Sequence, residues 1–280
     1  MAGLMRGKRG LVMGVANDHS IAWGIAKALA DEGAELAFTY QGEQFGRRVR
    51  PLAESVGAKI ILPCDVEDAA SVTAVFSALK SNWGSVDFLV HAIAFSDRGE
   101  LRGRYADTTR QNFVKTMLVS CFSFTEAARQ AAALMTNGGS ILTLTFGGAT
   151  RVMPNYNVMG VAKAALETSV RYLAADFGGD NIRVNAISAG PVRTLAGAGV
   201  SDARLMFNYQ RVNSPLRRTV SIDEIGKAAV YLLSDMSTGV TGEIHYVDSG
   251  YNAISMPRLD ELKAQEALRP GGSEPDESDD

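Results

Sequence analysis

The stretch Gly10-Leu11-Val12-Met13-Gly14-Val15-Ala16-Asn17-Asp18-His19-Ser20-Ile21-Ala22-Trp23-Gly24 decides the fold. Its opening apolar run is too short for a helix and reads as a β-strand covered on both faces. Gly14 ends the run. Ser20 is a candidate N-cap for a helix that continues through Ile25, Ala26 and Leu29. A strand, a glycine turn and a helix N-terminus, in that order, turn backbone N–H groups toward an anion, and this arrangement suits a nucleotide phosphate. The Ser20 hydroxyl can reach the same phosphate. The spacing is not G-x-G-x-x-G, so two readings stand: a variant phosphate turn, or simply a glycine-ended strand and a capped helix. The small Ala22 and Gly24 let the helix approach the sheet closely.

Working outward, the same alternation repeats along the chain. Short apolar runs at 10–14, 35–40, 59–63, 87–91, 139–145, 182–188 and 243–247 predict strands. Helical patterns occupy 21–32, 44–55, 68–82, 107–135, 157–178 and 222–234 between them. This predicts an α/β fold: a Rossmann-type, doubly wound sheet of about seven parallel strands with helices on both faces. One domain over 1–256 accounts for it. Residues 191–220 break the alternation, with a short helix expected over 201–211 carrying Leu205, Met206 and Phe207. A segment there, after a strand's carboxyl end, covers the ligand crevice. Those three side chains are equally readable as an apolar lid or as ordinary packing. Residues 257–280 form an acidic extension, expected to be disordered from about 270, where Pro-Gly-Gly-Ser-Glu-Pro-Asp-Glu-Ser-Asp-Asp has no apolar anchor.

Composition narrows the class. The chain has 280 residues, 46% of them apolar, and a formal charge of -3. Neither a basic field for nucleic acid nor a run long enough to insert into a membrane is present. The basic run Arg47-Arg48-Val49-Arg50 reads as a solvated helix face, with a cofactor-phosphate contact as the lesser alternative. Cys64 and Cys121 imply no disulfide framework, and Cys64 reads as a small core residue. The start of the chain lacks a signal-peptide pattern, so the cytoplasm is expected. His19 and His245 are too isolated for a metal site, and none is expected. His91, the last residue of an apolar strand, reads as structural rather than catalytic.

Candidate site residues cluster at strand ends. Gln41, after the second strand, can hydrogen-bond adenosine ribose hydroxyls but repels no 2′-phosphate, and no basic residue stands immediately beside it. Asp65 can accept from an adenine amino group or cap the next helix, and Val66 can pack on the ring. The small residues of Ala92-Ile93-Ala94 let a nucleotide lie close to the backbone. Tyr156 and Lys163 are seven residues apart, two turns if helical, and so share a face. A nearby ammonium favours the charged form of a phenol and helps it exchange protons or hydrogen bonds. The plain alternative is a half-buried tyrosine and a surface lysine. Gly190-Pro191 turns the chain sharply, and Thr194 follows with a hydroxyl suited to a phosphate.

These phrases resemble the bacterial enoyl-acyl-carrier-protein reductase branch of the short-chain dehydrogenase/reductase superfamily. The likeness runs nearly from residue 8 to 252. It includes Gly14 through Gly24, Thr39-Tyr40-Gln41, Asn155 through Gly160 with Lys163, and Arg183 through Pro191 followed by Arg193-Thr194-Leu195. The tyrosine-to-lysine spacing is the most discriminating feature: ordinary members of the superfamily place the lysine four residues on, where this chain has Gly160. The resemblance implies NADH-dependent reduction of the C2–C3 double bond of trans-2-enoyl thioesters on acyl carrier protein, in fatty-acid elongation. It implies cofactor contacts at Gly14, Ser20, Ile21, Gln41, Asp65, Val66, Ile93, Lys163, Val192, Arg193, Thr194, Leu195 and Ala196. Tyr156 and Lys163 would be the catalytic pair, with Tyr156 on the thioester oxygen. Ser96, Leu101, Phe146, Tyr156, Met159, Met206 and Phe207 would line the substrate site. The chain departs from the family at Phe146, where a second tyrosine is usual; the ring keeps an apolar wall but supplies no hydroxyl. A homotetramer and diphenyl-ether inhibitors stacked on the oxidised cofactor are implied as well.

Overall fold

The computed structural model describes residues 3–192, 203–260 and 262–263. Seven strands form one sheet: β1 (Arg9–Met13), β2 (Glu35–Tyr40), β3 (Ile60–Pro63), β4 (Phe88–His91), β5 (Gly139–Thr145), β6 (Ile182–Ala189) and β7 (Ile244–Val247). Their order is β3-β2-β1-β4-β5-β6-β7, and every neighbouring pair is parallel. The helices are α1 (Ile21–Asp31), α2 (Gly42–Ser55), α3 (Ala69–Trp83), α4 (Arg110–Met117), α5 (Ser123–Ala132), α6 (Asn157–Phe177), α7 (Ala203–Asn213) and α8 (Ile222–Leu233). The expected doubly wound sheet is what forms.

Each central strand feeds two cores because successive side chains point to opposite faces. Leu11, Met13, Leu89 and Ile141 join the cluster that holds Phe124 of α5 and Leu166 and Val170 of α6. Val12, Phe38, Phe88, Val90 and Leu142 join the other, with Ile25 of α1 and Ile225 of α8. The edge strands differ from the expectation of full cover: β7 has no fully buried residue and β3 has one, since an edge strand lacks a neighbour on one side.

Two local expectations change. The single helix expected over 107–135 is α4, a π-helical turn (Leu118–Phe122) and α5, preceded by a 3₁₀ turn (Tyr105–Asp107). It starts late because Thr109 caps it, accepting from the Asn112 N–H at 3.2 Å. In the wide turn, the Ser120 hydroxyl accepts from the Phe95 N–H and donates to the Phe95 carbonyl, both at 2.9 Å. Gly24 does not serve helix–sheet contact. A Cβ there would lie 2.7 Å from Ile222 Cβ, and one at Gly226 would lie 2.6 Å from the Gly24 carbonyl oxygen, so this glycine pair lets α1 and α8 touch. The expected helix over 201–211 is α7.

Parallel order reverses between β1 and β4. Strands to one side run outward through β2 and β3, and those to the other through β5, β6 and β7. The crevice at the carboxyl ends of β1 and β4 is therefore where a ligand fits such a sheet.

Candidate active site at the carboxyl edge of the sheet

Gly14 leaves β1 with φ 101°, a conformation that L side chains resist. A Cβ at this position would fall 2.2 Å from the Ala92 carbonyl oxygen, so only glycine lets the ends of β1 and β4 close up. Ser20 occupies the N-cap position of α1 but makes no capping bond. Its hydroxyl instead donates back to the Asn17 carbonyl at 2.6 Å and accepts from the Ala16 N–H at 3.4 Å, tightening the turn. Among the described residues, the N–H groups of Ile21 and Ala22 consequently have no acceptor. Free donors at a helix N-terminus suit a phosphate, so the turn fits a dinucleotide.

Gln41 is exposed at the end of β2, at the N-cap of α2. Arg50 is turned elsewhere: its guanidinium pairs with Glu43 at 2.9 Å and donates to the Tyr40 hydroxyl at 2.5 Å. Arg47 and Arg48 lie on the exposed face of α2. Asp65 does not cap α3; Asp68 does, accepting from the Ala70 N–H at 2.9 Å. The Asp65 carboxylate closes its own turn by accepting from the Glu67 N–H at 3.0 Å. Val66 is buried, while Ile93 and Val192 are half-buried against the two cores. Arg193, Thr194, Leu195 and Ala196 lie outside the described residues, as does the extension from 270. Cys64 is a buried core residue whose thiol burial pushes up to about 11.

Tyr156 stands at the N-cap of α6 and Lys163 two turns along it. Lys163 is not a surface residue. It is 6% exposed, and its ammonium donates to the Leu144 carbonyl of β5 at 2.8 Å. Burial lowers its pKa to about 8, against the opposing pull of Cys121 and Glu167. One turn further along, Glu167 is buried as well and accepts from the Thr145 hydroxyl at 2.7 Å. Burial holds its carboxyl above the ordinary range. Thus α6 docks on β5 through two consecutive strand residues, a polar seam not apparent from the sequence pattern. The Tyr156 phenol is half-buried with its pKa raised by burial. Its ring meets the Phe146 ring edge-on, centroids 5.2 Å apart, and packs with Leu101, Val158 and Met159.

The structure therefore gathers Leu101, Phe146, Tyr156 and Met159. Ser96 sits in a separate buried network, accepting from Thr116 Oγ1 at 2.9 Å and donating to Asn112 Oδ1 at 3.3 Å. Met206 and Phe207 are half-buried on α7, and Leu205 is exposed. His91 is fully enclosed beneath this region. Ser123 Oγ donates to the Val119 carbonyl at 2.8 Å, so the 2.9 Å contact from His91 Nε2 is a donation from the ring. The tautomer is then Nε2–H, and Nδ1 has no partner among the described residues. Burial, helped by the Lys163 charge, lowers its pKa to about 3. The described residues include no group of three or more His, Cys, Asp or Glu placed to hold a metal. They also include no helix long and apolar enough to cross a membrane.

A doubly wound parallel sheet, a glycine turn at its switch point, and a tyrosine and buried lysine on the helix after β5 define a short-chain dehydrogenase/reductase. The profile of the family described as enoyl-(acyl carrier protein) reductase matches residues 14–252. The chain is 70% identical over 267 residues to enoyl-[acyl-carrier-protein] reductase [NADH] 2 of Rhizobium meliloti (strain 1021), covering 95% of this chain and 100% of that one. The crystal structure of FabI from Candidatus Liberibacter asiaticus superposes with a TM-score of 0.90 at 60% identity, covering 92% of this chain and 100% of that one. The enoyl-(acyl-carrier-protein) reductase of Anaplasma phagocytophilum, solved in complex with NAD, gives 0.89 at 57% identity, covering 92% and 99%. The chain belongs to the enoyl-acyl-carrier-protein reductase family.

Proposed function

We propose that this chain reduces the C2–C3 double bond of trans-2-enoyl thioesters on acyl carrier protein, with NADH as the reductant. The observation that carries the reading is the Tyr156–Lys163 pair. A phenol hydroxyl with no partner among the described residues and a buried ammonium share one helix beside the Gly14 turn. The bound dinucleotide supplies the hydride. The N–H groups of Ile21 and Ala22, with the Gly14 turn and Ser20, would hold its pyrophosphate. Gln41 would take the adenosine ribose, and Asp65 and Val66 the adenine. Ile93, Lys163 and Val192 with Arg193, Thr194, Leu195 and Ala196 would hold the nicotinamide half.

When the β carbon of the substrate gains hydride, negative charge develops on the thioester oxygen. Tyr156 donates a hydrogen bond to that oxygen and stabilises the charge as it forms, and water supplies the proton that the enolate then takes at the α carbon. Burial keeps the phenol protonated, so it works as a donor and not as a phenolate. Lys163, mostly protonated at neutral pH, would bind the nicotinamide ribose. Leu101, Phe146 and Met159 form the apolar wall for the acyl chain, with Met206 and Phe207 as further lining, while Ser96 stays in its own network with Asn112 and Thr116. Phe146 brings no hydroxyl, so among the described residues gathered here Tyr156 alone offers a phenol.

The same reading takes residues 1–256 as one catalytic domain, places the protein in the cytoplasm as a homotetramer, and includes diphenyl-ether inhibitors beside the oxidised nicotinamide. The test is oxidation of NADH or NADPH with crotonyl and acetoacetyl thioesters in parallel. Turnover of the crotonyl substrate, with higher kcat/KM for NADH, is expected from Gln41 and from Arg50 being engaged with Glu43. Preferential reduction of the acetoacetyl thioester would instead make the chain a ketoacyl reductase. Equal or better efficiency with NADPH would reject the cofactor preference.

A further inference from the structure

The backbone on both sides of Tyr156 is left-handed. Asn155 has φ 57° and Asn157 φ 32°, with Tyr156 at -118° between them. Such conformations are uncommon outside glycine, are best tolerated by asparagine, and persist only where the surroundings hold them. At Asn157 the holding contacts come from its own side chain. Asn157 Nδ2 donates to the carbonyl oxygens of Glu100, Arg102 and Gly103 at 3.2, 3.4 and 3.3 Å. An amide has two N–H bonds, so three acceptors share them.

Those carbonyls belong to the segment that leaves β4, and a second contact ties it down. The Glu100 carboxylate accepts from the Thr109 N–H at 2.9 Å and from the Thr109 hydroxyl at 2.8 Å, at the cap of α4. Leu101 lies between these anchors and packs on Tyr156, Val158 and Met159. One side chain, next to the phenol in sequence, thus holds the strand-to-helix segment that supplies the facing apolar wall.

We propose that Asn157 is a positioning residue whose amide clamps residues 100–103 to the start of α6, setting the Leu101 wall and the Tyr156 hydroxyl as one unit toward the substrate. The inference rests on the enoyl-thioester reading above. Loss of the amide loosens the substrate wall and leaves the dinucleotide end, built by Gly14 and α1, as it was. Aspartate cannot replace it: a carboxylate has no N–H and would face three carbonyl oxygens.

The test uses the full-length chain with Asn157→Gly, which keeps the positive φ and removes the amide, and Asn157→Asp, which keeps the shape and removes the donors. KM for a crotonyl thioester is expected to rise about three- to tenfold, the range for a lost hydrogen bond, with NADH affinity unchanged by titration. Backbone amides over 97–104 should exchange deuterium faster in both variants, and those over 10–24 should not. The proposal is overturned by a wild-type KM in Asn157→Gly, by an equal loss of NADH and substrate affinity, or by unaltered exchange over 97–104. Exchange is measured without substrate. A wild type that failed to reduce the thioester would sink the activity reading while the exchange still decided the clamp.

Discussion

Tyr156→Phe removes one oxygen and leaves the ring. The ring contacts with Phe146 and with Leu101, Val158 and Met159 are carbon contacts, so they survive. Among the described residues the hydroxyl has no hydrogen-bond partner, so its deletion orphans no buried donor or acceptor, and folding stability should change little. The cost falls on the transition state. Removing one preorganised donor to a developing oxyanion lowers turnover by roughly 10²–10³, or about 3–4 kcal/mol. Phe146 cannot take over, and water filling the vacated space would soften the loss toward the lower figure. The informative assay is single-turnover reduction of a crotonyl thioester by stopped flow, beside NADH titration and thermal melting. Slow chemistry with unchanged NADH affinity and unchanged melting is the expected pattern. A wild-type single-turnover rate would refute the reasoning: the donor would then be water or backbone, although the fold and the dinucleotide site would stand.

Lys163→Ala should behave differently, lowering NADH affinity by about tenfold or more together with turnover, because a charged hydrogen bond is lost from the cofactor side; unchanged affinity by titration would remove Lys163 from the ribose. His91 makes the protein acid-sensitive. Its folded pKa of about 3 lies below its ordinary 6.5, so the unfolded chain binds more protons between those values, and stability is lost as pH falls through that window. By pH 4.5 this amounts to on the order of 2–3 kcal/mol; His91→Gln, which keeps a donor for Ser123, should flatten the acid limb in urea melts, and an unchanged limb would assign it to other groups. Truncation at Pro270 should leave folding, assembly and turnover intact, since the removed residues have no apolar anchor; a loss of assembly by light scattering would refute this.

What was legible in the sequence was local. Short runs apolar on nearly every residue located every strand, and the Gly14 turn marked the crevice because a conformational demand of that kind restricts the residue type at one position. What was not legible depended on partners far along the chain. The role of Gly24 is set by Ile222 and Gly226, about two hundred residues away, so its smallness was legible but not its neighbours. Ser20 had the residue type and position of a cap, yet its hydroxyl turns back to Asn17, which no propensity encodes. The π-helical turn carries Ser120, which meets the Phe95 backbone, a contact between elements and not a property of either. Residues 193–196, central to the implied cofactor contacts, lie outside the described residues.

The decisive ambiguity concerned Lys163. On the sequence alone it was either a partner of Tyr156 or a solvated lysine on an amphipathic helix, because a helical period places residues on faces without saying what each face meets. Its burial settles which face it occupies: water is excluded, the ammonium is held by the Leu144 carbonyl, and Glu167 is held one turn on by Thr145. A buried lysine costs stability unless its charge is used or compensated. Here one carbonyl compensates it in part, and its pKa remains depressed to about 8. A simple core position would be filled better by leucine or methionine. The fold therefore keeps an incompletely compensated cation two turns from a phenol whose hydroxyl has no partner among the described residues, at the sheet's switch point. The proposed roles of Tyr156 and Lys163 account for that uneconomical pairing, whereas an amphipathic helix that happens to contain both residue types does not.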